Sequence, residues 1–285
     1  SVVIPAYNEA RNVGKVISDI LIHHPDFEII VVDDGSTDGT GEAAKEAGAI
    51  VYKHPYNIGN GAAIKSGTRI ASGRILVFMD ADGQHDPGDM DQLIRYVPEY
   101  DMVVGARGKG DQDSRLRAMG NRIYNWLASY VTNFKVLDLT SGFRAVKSDL
   151  ARKLLYLLPN TYSYPTTLTM GILRSGGSIR YVKINLKSRK MGKSDIRMVK
   201  DGVRFFMIIT RICTFYSPLK IFLPISAAIF CTGLGYYIYT FLTARRFTNM
   251  SALLFTTSIL IFMLGLISEQ ISQLRYEKSE GDRFV

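Results

Sequence analysis

Short apolar runs alternate with helical patterns over the first 190 residues of the chain. The runs are continuous in sequence, as is typical of strands buried on both faces of a sheet, and they occupy residues 2–4, 28–32, 49–52, 75–79 and 102–104. Amphipathic or alanine-rich segments, for example 9–24 and 40–48, separate the runs and predict helices. The pattern therefore predicts an α/β domain around an open parallel sheet.

Two much longer apolar runs lie near the C-terminal end. Residues 221–242 contain no charged side chain, and a helix of that length spans about 33 Å, enough for a bilayer core. The second run, 250–268, is also long enough to cross and ends near Glu269. We predict a transmembrane hairpin at about 221–242 and 250–271, the alternative being two buried helices of a soluble core.

The charge pattern gives the hairpin a direction. The formal net charge of +9 suggests an anionic partner, whether nucleic acid, a membrane surface or a phosphorylated ligand, and composition does not choose among them. With the acceptor predicted below, no nucleic acid is expected. Five Lys/Arg lie between Arg197 and Lys220 and three follow Ile271, whereas the connection between the apolar runs carries only Arg245 and Arg246. The positive-inside rule then predicts a multi-pass integral membrane protein whose N-terminal domain faces the cytoplasm.

The segment before the hairpin is amphipathic. On a helical wheel, residues 196–212 gather their charged side chains into one arc of roughly 100°, which predicts an interfacial helix on the bilayer surface. A core-facing amphipathic helix is the alternative. The predicted domains are 1–190, the α/β domain; 191–218, the interfacial region; and 219–285, the hairpin with a short cytoplasmic tail. The start of the chain, inside a strand and without Met, suggests that a few residues are missing.

Acidic and glycine-containing loops follow the early strands. Asp33 and Asp34 come directly after the second apolar run, where two adjacent acids are costly without partners. A carboxylate here can accept hydrogen bonds from a ribose hydroxyl or a base N–H, while Thr37 or Asp38 is expected to cap the next helix. The loop at 57–67 contains glycines before a helix start, where backbone N–H groups can approach a phosphate or form a plain cap. In open parallel sheets, ligands bind beyond the carboxyl ends of the strands, so these loops predict one continuous site edge.

The segment DADGQHDP, which follows the fourth run, carries the strongest chemical signal. Asp80 and Asp82 can turn toward one point as the chain leaves the strand, with Gln84 as a third oxygen. Such a set suits a hard divalent cation, Mg²⁺ or Mn²⁺, that bridges to a diphosphate. His85 is a candidate ligand, a turn stabiliser or a partner of Asp86, and Asp86 is expected to cap the helix that begins near Pro87.

Six motifs in order carry a family resemblance: VIPAYNEARNV, VVDDGSTDGT, NIGNGAAIKSG, DADGQHDP, GAR and SGFRAV. Together they resemble the family 2 glycosyltransferases, in particular the dolichyl- or polyprenyl-phosphate sugar synthases. The resemblance covers residues 1 to about 195 and implies a Rossmann-like GT-A fold with a nucleotide sugar and a divalent metal. It implies metal and diphosphate contacts for the DADGQ acids and Gln84, and nucleoside contacts for Pro5, Tyr7, Glu9 and Asp34.

The resemblance also covers a late element, RKMGKSDI, that closes over the diphosphate in such proteins. Arg189, Gly192 and Ser194 match the family pattern, whereas Asp195 replaces the expected Lys. Arg189 and Lys193 are therefore the candidate phosphate contacts in this element.

The acceptor is predicted to be a polyprenyl phosphate. A hydroxyl acceptor needs a general base, and residues 160–171, where hydroxyl-using relatives often carry an acid, contain neither acid nor histidine. A phosphate monoester is already ionised at neutral pH and needs cations instead. The arginines expected to seat it are Arg107, Arg115, Arg117 and Arg144, since arginine suits bidentate phosphate recognition.

The predicted reaction is a metal-dependent, inverting transfer of a hexose to a dolichyl-type phosphate. Asp82 with Arg107, Arg117 and Arg144 is the predicted catalytic set, and GDP-mannose, UDP-glucose and UDP-N-acetylglucosamine are all compatible donors. A processive polysaccharide synthase is one alternative, although such proteins resemble one another in a Gln-x-x-Arg-Trp element and Trp126 is the only tryptophan here. A non-catalytic membrane scaffold is another. The lone hairpin favours a homo-oligomer.

Overall fold

A computed structural model describes residues 1–107, 115–161, 163–184 and 217–281, with the backbone alone at 115–119 and 275–281. The chain divides into two compact units, residues 1–205 and 206–285. The strands of the first unit are β1 (Val2–Ala6), β2 (Ile29–Asp33), β3 (Ile50–Lys53), β4 (Ile75–Phe78), β5 (Met102–Arg107), β6 (Arg144–Lys147) and β7 (Ile179–Ile184). Its helices are α1 (Ala10–His23), α2 (Thr40–Glu46), α3 (Asn60–Ile70), α4 (Met90–Tyr96), α5 (Arg115–Thr132), α6 (Ser148–Lys153) and α7 (Tyr164–Arg174).

The strands form one mixed sheet in the order β3-β2-β1-β4-β6-β5-β7. Strand β6 runs antiparallel to both of its neighbours, while the other pairs are parallel. Phe78 near the end of β4 lies opposite Arg144 at the start of β6. The carboxyl ends of the parallel strands and the beginning of β6 therefore share one edge of the sheet.

Alternate residues of each strand point to opposite faces and build two cores. On one face, α1 packs its apolar stripe, with the i, i+3, i+4, i+7 spacing of an amphipathic helix, which comprises Val13, Val16, Ile17 and Ile20. On the other face, α3, α6 and α7 cover the residues of the second core, which include Val3, Ile30, Val32, Leu76 and Phe78. The sheet is thus the middle layer of three, and its carboxyl edge remains for the site.

The structure confirms the five predicted strands and changes the predicted sheet in three ways. Both β6 and β7 are absent from the sequence prediction, and β6 makes the sheet mixed. Strand β3 lies at one end of the strand order and was expected to be buried, yet Ile50 and Tyr52 are exposed. A strand at the end of a sheet pairs with one neighbour and is covered less completely than a central strand. A short apolar run therefore does not by itself show burial on both faces of the sheet.

The second unit contains α8 (Leu219–Ala244) and α9 (Asn249–Gly281), which pack against each other. Both are long and apolar enough to cross a membrane, over 219–244 and 249–274. The predicted hairpin at 221–242 and 250–271 is therefore confirmed as a pair of apolar helices. The predicted boundary at residue 190 and the predicted interfacial helix at 196–212 lie outside the described residues.

Small residues let α8 and α9 approach closely. A Cβ added to Gly233 would lie 3.0 Å from a side chain of α9, and one added to Gly265 would lie 2.6 Å from the Cβ of Phe222. The hydroxyl of Ser226 donates to the carbonyl of Ser258 at 2.9 Å, and the hydroxyl of Ser258 donates back to the carbonyl of Ser226 at 3.1 Å. Small side chains and hydroxyl bonds of this kind are typical of helix pairs in membranes.

Candidate active site

The loops after β1 and β2 are bonded to each other. Asn8 has a φ of 55°, which asparagine tolerates better than most residues, and its N–H donates to the Ser36 hydroxyl at 3.0 Å. Asp38 accepts the N–H of Ala10 and the N–H of Thr40, both at 3.1 Å, and these are the first residues of α1 and α2. The N-cap residue of α2 is Gly39, without a side-chain cap, so Asp38 acts one residue earlier by holding the first N–H of each helix. The two loops form one platform.

Asp34 is almost completely buried, and neighbours occupy most of its carboxylate. Its Oδ1 lies 2.6 Å from His54 Nδ1 and accepts the Ile58 N–H at 3.0 Å, while Oδ2 accepts the Gly59 N–H at 2.8 Å. The other ring nitrogen of His54 lies 2.9 Å from the Ser66 hydroxyl. A carboxylate has about four acceptor positions, so about one remains on Oδ2. The predicted nucleoside contact of Asp34 stays a prediction, restricted to that position.

The other residues predicted to contact the nucleoside differ in accessibility. Tyr7 is exposed at the end of β1, and Pro5 is buried within that strand. Glu9 accepts the side-chain amide of Asn12 at 2.7 Å, and its N–H donates to the Thr40 hydroxyl at 2.9 Å. Tyr7 and Glu9 can therefore offer side chains to a ligand, whereas Pro5 shapes the strand behind them.

The acid pair follows β4 at the same edge of the sheet. The side chain of Asp80 is 38% exposed, and its Oδ2 lies 3.9 Å from His85 Nε2. Asp82 accepts the N–H of Gln84 at 3.1 Å in a tight turn. Gly142 packs directly against Asp80, because a Cβ added there would lie 2.8 Å from Asp80 Oδ2. The loop before β6 thus packs against the carboxylate of Asp80.

The acid pair and Gln84 are the kind of ligands that a hard divalent cation takes. Within the described ranges, no group of three or more His, Cys, Asp or Glu side chains is placed to hold a metal, so the segment offers two carboxylates, Asp80 and Asp82, and Gln84 stays a predicted third oxygen. This incomplete oxygen set suits Mg²⁺ or Mn²⁺, which retain waters and bind substrate phosphates. His85 stacks on Phe143 at 4.8 Å, and its buried Nδ1 has no hydrogen-bond partner among these residues.

Asp86, the third acid of this segment, has the predicted local role. Its Oδ1 accepts the N–H of Gly88 at 3.1 Å, at the start of the short 3-10 helix Pro87–Asp89. The expectation that Asp86 caps this helix is confirmed.

Arg107, at the end of β5, forms a two-point ion pair with Asp138. Its Nε donates to Asp138 Oδ2 at 2.7 Å and its Nη2 to Oδ1 at 2.9 Å, and Nη2 also donates to the Thr140 hydroxyl. Burial disfavours both charges, but the mutual hydrogen bonds and charge raise the pKa of Arg107 and lower the pKa of Asp138. The charge of Asp80 also raises the pKa of Arg107. The guanidinium therefore lies within electrostatic range of Asp80, and its Nη1 has no partner among the described residues.

Arg144 does not have the role predicted for it. Its side chain is completely buried, and Nη1 donates to the Pro165 carbonyl at 2.9 Å and to Thr169 Oγ1 at 3.1 Å, while Nη2 donates to the Ser141 carbonyl. No atom remains exposed for an acceptor phosphate. Arg144 instead connects the first turn of α7 to the loop before β6, and burial lowers its pKa.

The glycines at the start of α3, Gly59 and Gly61, do not form the phosphate loop that the sequence allowed. The N–H of Gly59 is taken by Asp34, and a Cβ at Gly59 or Gly61 would collide with the backbone of residues 159–161. The Ala62 N–H donates to the Asn160 carbonyl at 3.1 Å. These glycines allow the close approach of two backbones, so the helix start is occupied by protein.

The side chains of four predicted site residues fall outside the described part of the structure. The side chains of Arg115 and Arg117, in the first turn of α5, are not described, and Arg189 and Lys193 lie in the gap between 184 and 217. Their roles stay predictions.

Sequence reasoning missed two residues that hold the site. Asp138 orients Arg107, and its position before Thr140 and Ser141, whose N–H groups both donate to it at 3.1 Å, is a local turn signal. His54 holds Asp34, and a lone histidine after a short strand gives no such signal. Both act through partners distant in the chain.

Residues 1–155, which contain the platform and the acid pair, match the family described as Glycosyl transferase family 2. The chain belongs to this family. Residues 217–274 match the family described as GtrB C-terminal hairpin, which corresponds to α8 and α9. The resemblance carried by the six motifs is thus confirmed.

Curated relatives match over most of their length. An undecaprenyl-phosphate mannosyltransferase of Micrococcus luteus is 29% identical over 215 residues, which cover 67% of this chain and 85% of that protein. A polyprenol monophosphomannose synthase of Mycolicibacterium smegmatis is 30% identical over 211 residues, covering 68% of this chain and 79% of that protein.

Solved structures support the fold. Glucosyl-3-phosphoglycerate synthase from Mycobacterium tuberculosis, in complex with Mn²⁺, uridine diphosphate and glucosyl-3-phosphoglycerate, superposes with a TM-score of 0.60 at 23% identity. The match covers 75% of this chain and 78% of that chain. The predicted GT-A fold is confirmed.

Proposed function

We propose that this family 2 glycosyltransferase moves a hexose from a nucleotide sugar to a polyprenyl phosphate in a metal-dependent, inverting reaction. The observation that carries the proposal is the placing of an acid pair and an oriented arginine at one sheet edge, in a chain that also has an apolar helix pair. The names of the relatives, an undecaprenyl-phosphate mannosyltransferase and a polyprenol monophosphomannose synthase, support this choice of acceptor.

The donor would bind on the platform after β1 and β2. Tyr7 offers a ring face, and Glu9 and the remaining acceptor position of Asp34 offer carboxylate oxygens to the nucleoside. Asp80, Asp82 and Gln84 would hold a divalent cation, which neutralises charge on the departing diphosphate when bound. The Mn²⁺ in a structural neighbour supports a divalent metal without choosing between Mg²⁺ and Mn²⁺.

The acceptor would bind on the arginine side of the edge. A phosphate monoester has a second pKa of about 6 and is largely dianionic at neutral pH. Its attacking oxygen therefore needs no general base. Asp138 holds Nε and Nη2 of Arg107, which leaves Nη1 for a phosphate oxygen. Direct attack on the anomeric carbon, in line with the leaving diphosphate, inverts its configuration.

The membrane part follows from α8 and α9. Two apolar helices with basic residues before the first and after the second favour a hairpin whose ends face the cytoplasm, where nucleotide sugars are made available to the site. A processive synthase would need to move a growing polymer across the membrane, and the described residues contain two candidate spans.

Replacement of Asp82 tests the proposal. The full-length protein and its Asp82→Asn variant are assayed for transfer of labelled hexose from a panel of nucleotide sugars to polyprenyl phosphate. Loss of an oriented electrostatic contact to the leaving group should reduce turnover by about 100-fold or more. Asp26→Asn is the matched control, because Asp26 is an exposed acid before β2, at the other edge of the sheet, and it should retain full turnover.

The products separate the alternatives. A single hexose in inverted configuration on the lipid phosphate is expected. Undiminished turnover in Asp82→Asn would remove the role of the acid pair, a polymeric product would support a processive synthase, and nucleotide binding without any transfer would support a scaffold.

A further inference from the structure

The outer face of α5 carries a row of large apolar side chains. Ile123, Trp126 and Tyr130 are 42%, 66% and 48% exposed, and at about 100° per residue they fall within an arc of about 60°. The rings of Trp126 and Tyr130 stack with centroids 6.1 Å apart. We call these three residues the aromatic ridge. The opposite face of α5, with Tyr124 and Ala128, is buried.

The ridge is held rigidly on the domain. The segment that returns from α5 is bonded to the helix: the Asn125 amide donates to the Leu137 carbonyl at 2.6 Å, and the Ser129 hydroxyl accepts the Val136 N–H at 2.9 Å. The exposed aromatic side chains therefore belong to an anchored helix with a buried inner face, and their outward direction is fixed by the fold.

The stretch of sequence that contains the ridge is basic. Residues 114–137 contain four cations and no acid, and Asp138, which follows directly, is paired with Arg107. Arg122 and Lys135 of this set are exposed. A surface that joins an aromatic row to exposed cations is complementary to an interface that is apolar below and anionic above.

We propose that the aromatic ridge of α5 rests in the headgroup region of an anionic bilayer. Tryptophan and tyrosine favour this region because each has an apolar ring and a polar group that stays hydrated. Basic side chains beside them gain attraction from anionic lipids. The same chain carries two helices able to cross a membrane, and these would tether the domain to a bilayer. This contact is additional to the sugar transfer proposed above and does not depend on it.

Trp126 makes the proposal directly measurable, since it is the only tryptophan in the chain. The full-length protein is placed in vesicles of phosphatidylcholine and phosphatidylglycerol, and Trp126 emission is recorded with lipids that carry a quencher in the headgroup, at the upper acyl chain or deep in the acyl chain. We expect blue-shifted emission, strong quenching from the first two positions, weaker quenching from the deep one, and poor quenching by aqueous iodide.

A relocated tryptophan supplies the control. Tyr56 is 66% exposed, the same fraction as Trp126, and lies in the loop after β3. In the double variant Trp126→Phe, Tyr56→Trp, the emission should be red-shifted, quenched by iodide and unaffected by the labelled lipids. Ile123→Glu, which adds an acid to the ridge at an exposed position, should reduce lipid quenching of Trp126 while leaving thermal unfolding unchanged.

Two outcomes overturn the proposal. Iodide quenching of Trp126 as strong as that of the control tryptophan would show a ridge in water. Shielding of Trp126 from both iodide and all labelled lipids would show that protein covers the ridge, and would assign the surface to a second copy of the chain or to another segment.

Discussion

Asparagine at position 138 would remove one charge from the ion pair that orients Arg107. The Asp138 carboxylate accepts Arg107 Nε at 2.7 Å and Nη2 at 2.9 Å, and the exposed fractions are 24% for Arg107 and 8% for Asp138. Hydrogen bonds to charged groups contribute about 1.5–3 kcal/mol and neutral ones about 0.5–1.5. Over two bonds, Asp138→Asn should lower the free energy of unfolding by about 2–3 kcal/mol, or the melting temperature by about 5–10 °C.

A double-mutant cycle separates the pair from its surroundings. Arg107→Gln alone leaves a buried carboxylate without its counter-charge, and the double variant removes both charges. Because the two side chains are in direct contact, the cycle should give a coupling free energy of about 1.5–3 kcal/mol. Additivity of the two substitutions, to within about 0.5 kcal/mol, would refute the assigned pairing.

A kinetic assay tests whether the Arg107–Asp138 pair also contributes to sugar transfer. Asp138→Asn should lower kcat/KM for the lipid phosphate more than the affinity for the nucleotide sugar, because Arg107 is proposed to contact the acceptor. Asp101→Asn is the control: Asp101 lies 2.9 Å from Lys147 Nζ, in a more exposed pair before β5, at the other edge of the sheet. Equal loss of kcat/KM in both variants would refute the positioning role, since it would then follow from lowered stability alone.

Two further predictions concern the same edge. Gly142→Ala places a Cβ 2.8 Å from Asp80 Oδ2, so it should displace that carboxylate and reduce sugar transfer by about 10-fold or more. The comparison variant is Gly176→Ala, whose added Cβ meets no atom within 4 Å although its φ is positive. Full activity of Gly142→Ala would exclude a role for Asp80 in its present position. The pKa of Asp138 is lowered in the folded protein, so this carboxylate contributes stability that is fully present above the unfolded pKa of about 4 and is lost as the pH falls through the folded pKa. In Asp138→Asn, the free energy of unfolding of the solubilised protein should therefore depend less steeply on pH in the acid range. An unchanged dependence would contradict the lowered pKa.

The strands were predictable where burial acts on consecutive residues. The runs that became β1, β2, β4 and β5 are apolar on both sides because helices cover both faces of the sheet. Strand β6 escaped prediction because its first residue is Arg144, and a charged residue in a central strand contradicts the pattern that marks such strands. Arg144 can be buried because α7 and the loop before β6 supply hydrogen-bond acceptors for its guanidinium. The residues around β6 in the sequence do not indicate these acceptors.

The candidate site was predictable in its acids and less so in its cations. Asp80 and Asp82 follow a strand directly, so their position at the sheet edge could be read from the sequence. The four arginines expected to seat the acceptor phosphate looked alike in the sequence, yet Arg107 is oriented by Asp138 and Arg144 is enclosed. Burial of a long cationic side chain depends on tertiary contacts, which spacing along the chain does not encode.

Because β6 runs antiparallel to its neighbours, the segment between β5 and β6 can vary in length more freely among such proteins than the strands themselves. Because β5 ends and β6 begins at the same edge, the chain between them leaves that edge and returns to it, and its described part, 115–143, contains no strand of the sheet. This excursion includes α5 and Asp138, and its length can change while the pairing of Phe78 with Arg144 stays in place. In the proposed function, Asp138, which orients the acceptor-binding Arg107, lies on this variable connection, whereas the proposed donor contacts follow strand ends that the sheet holds in register.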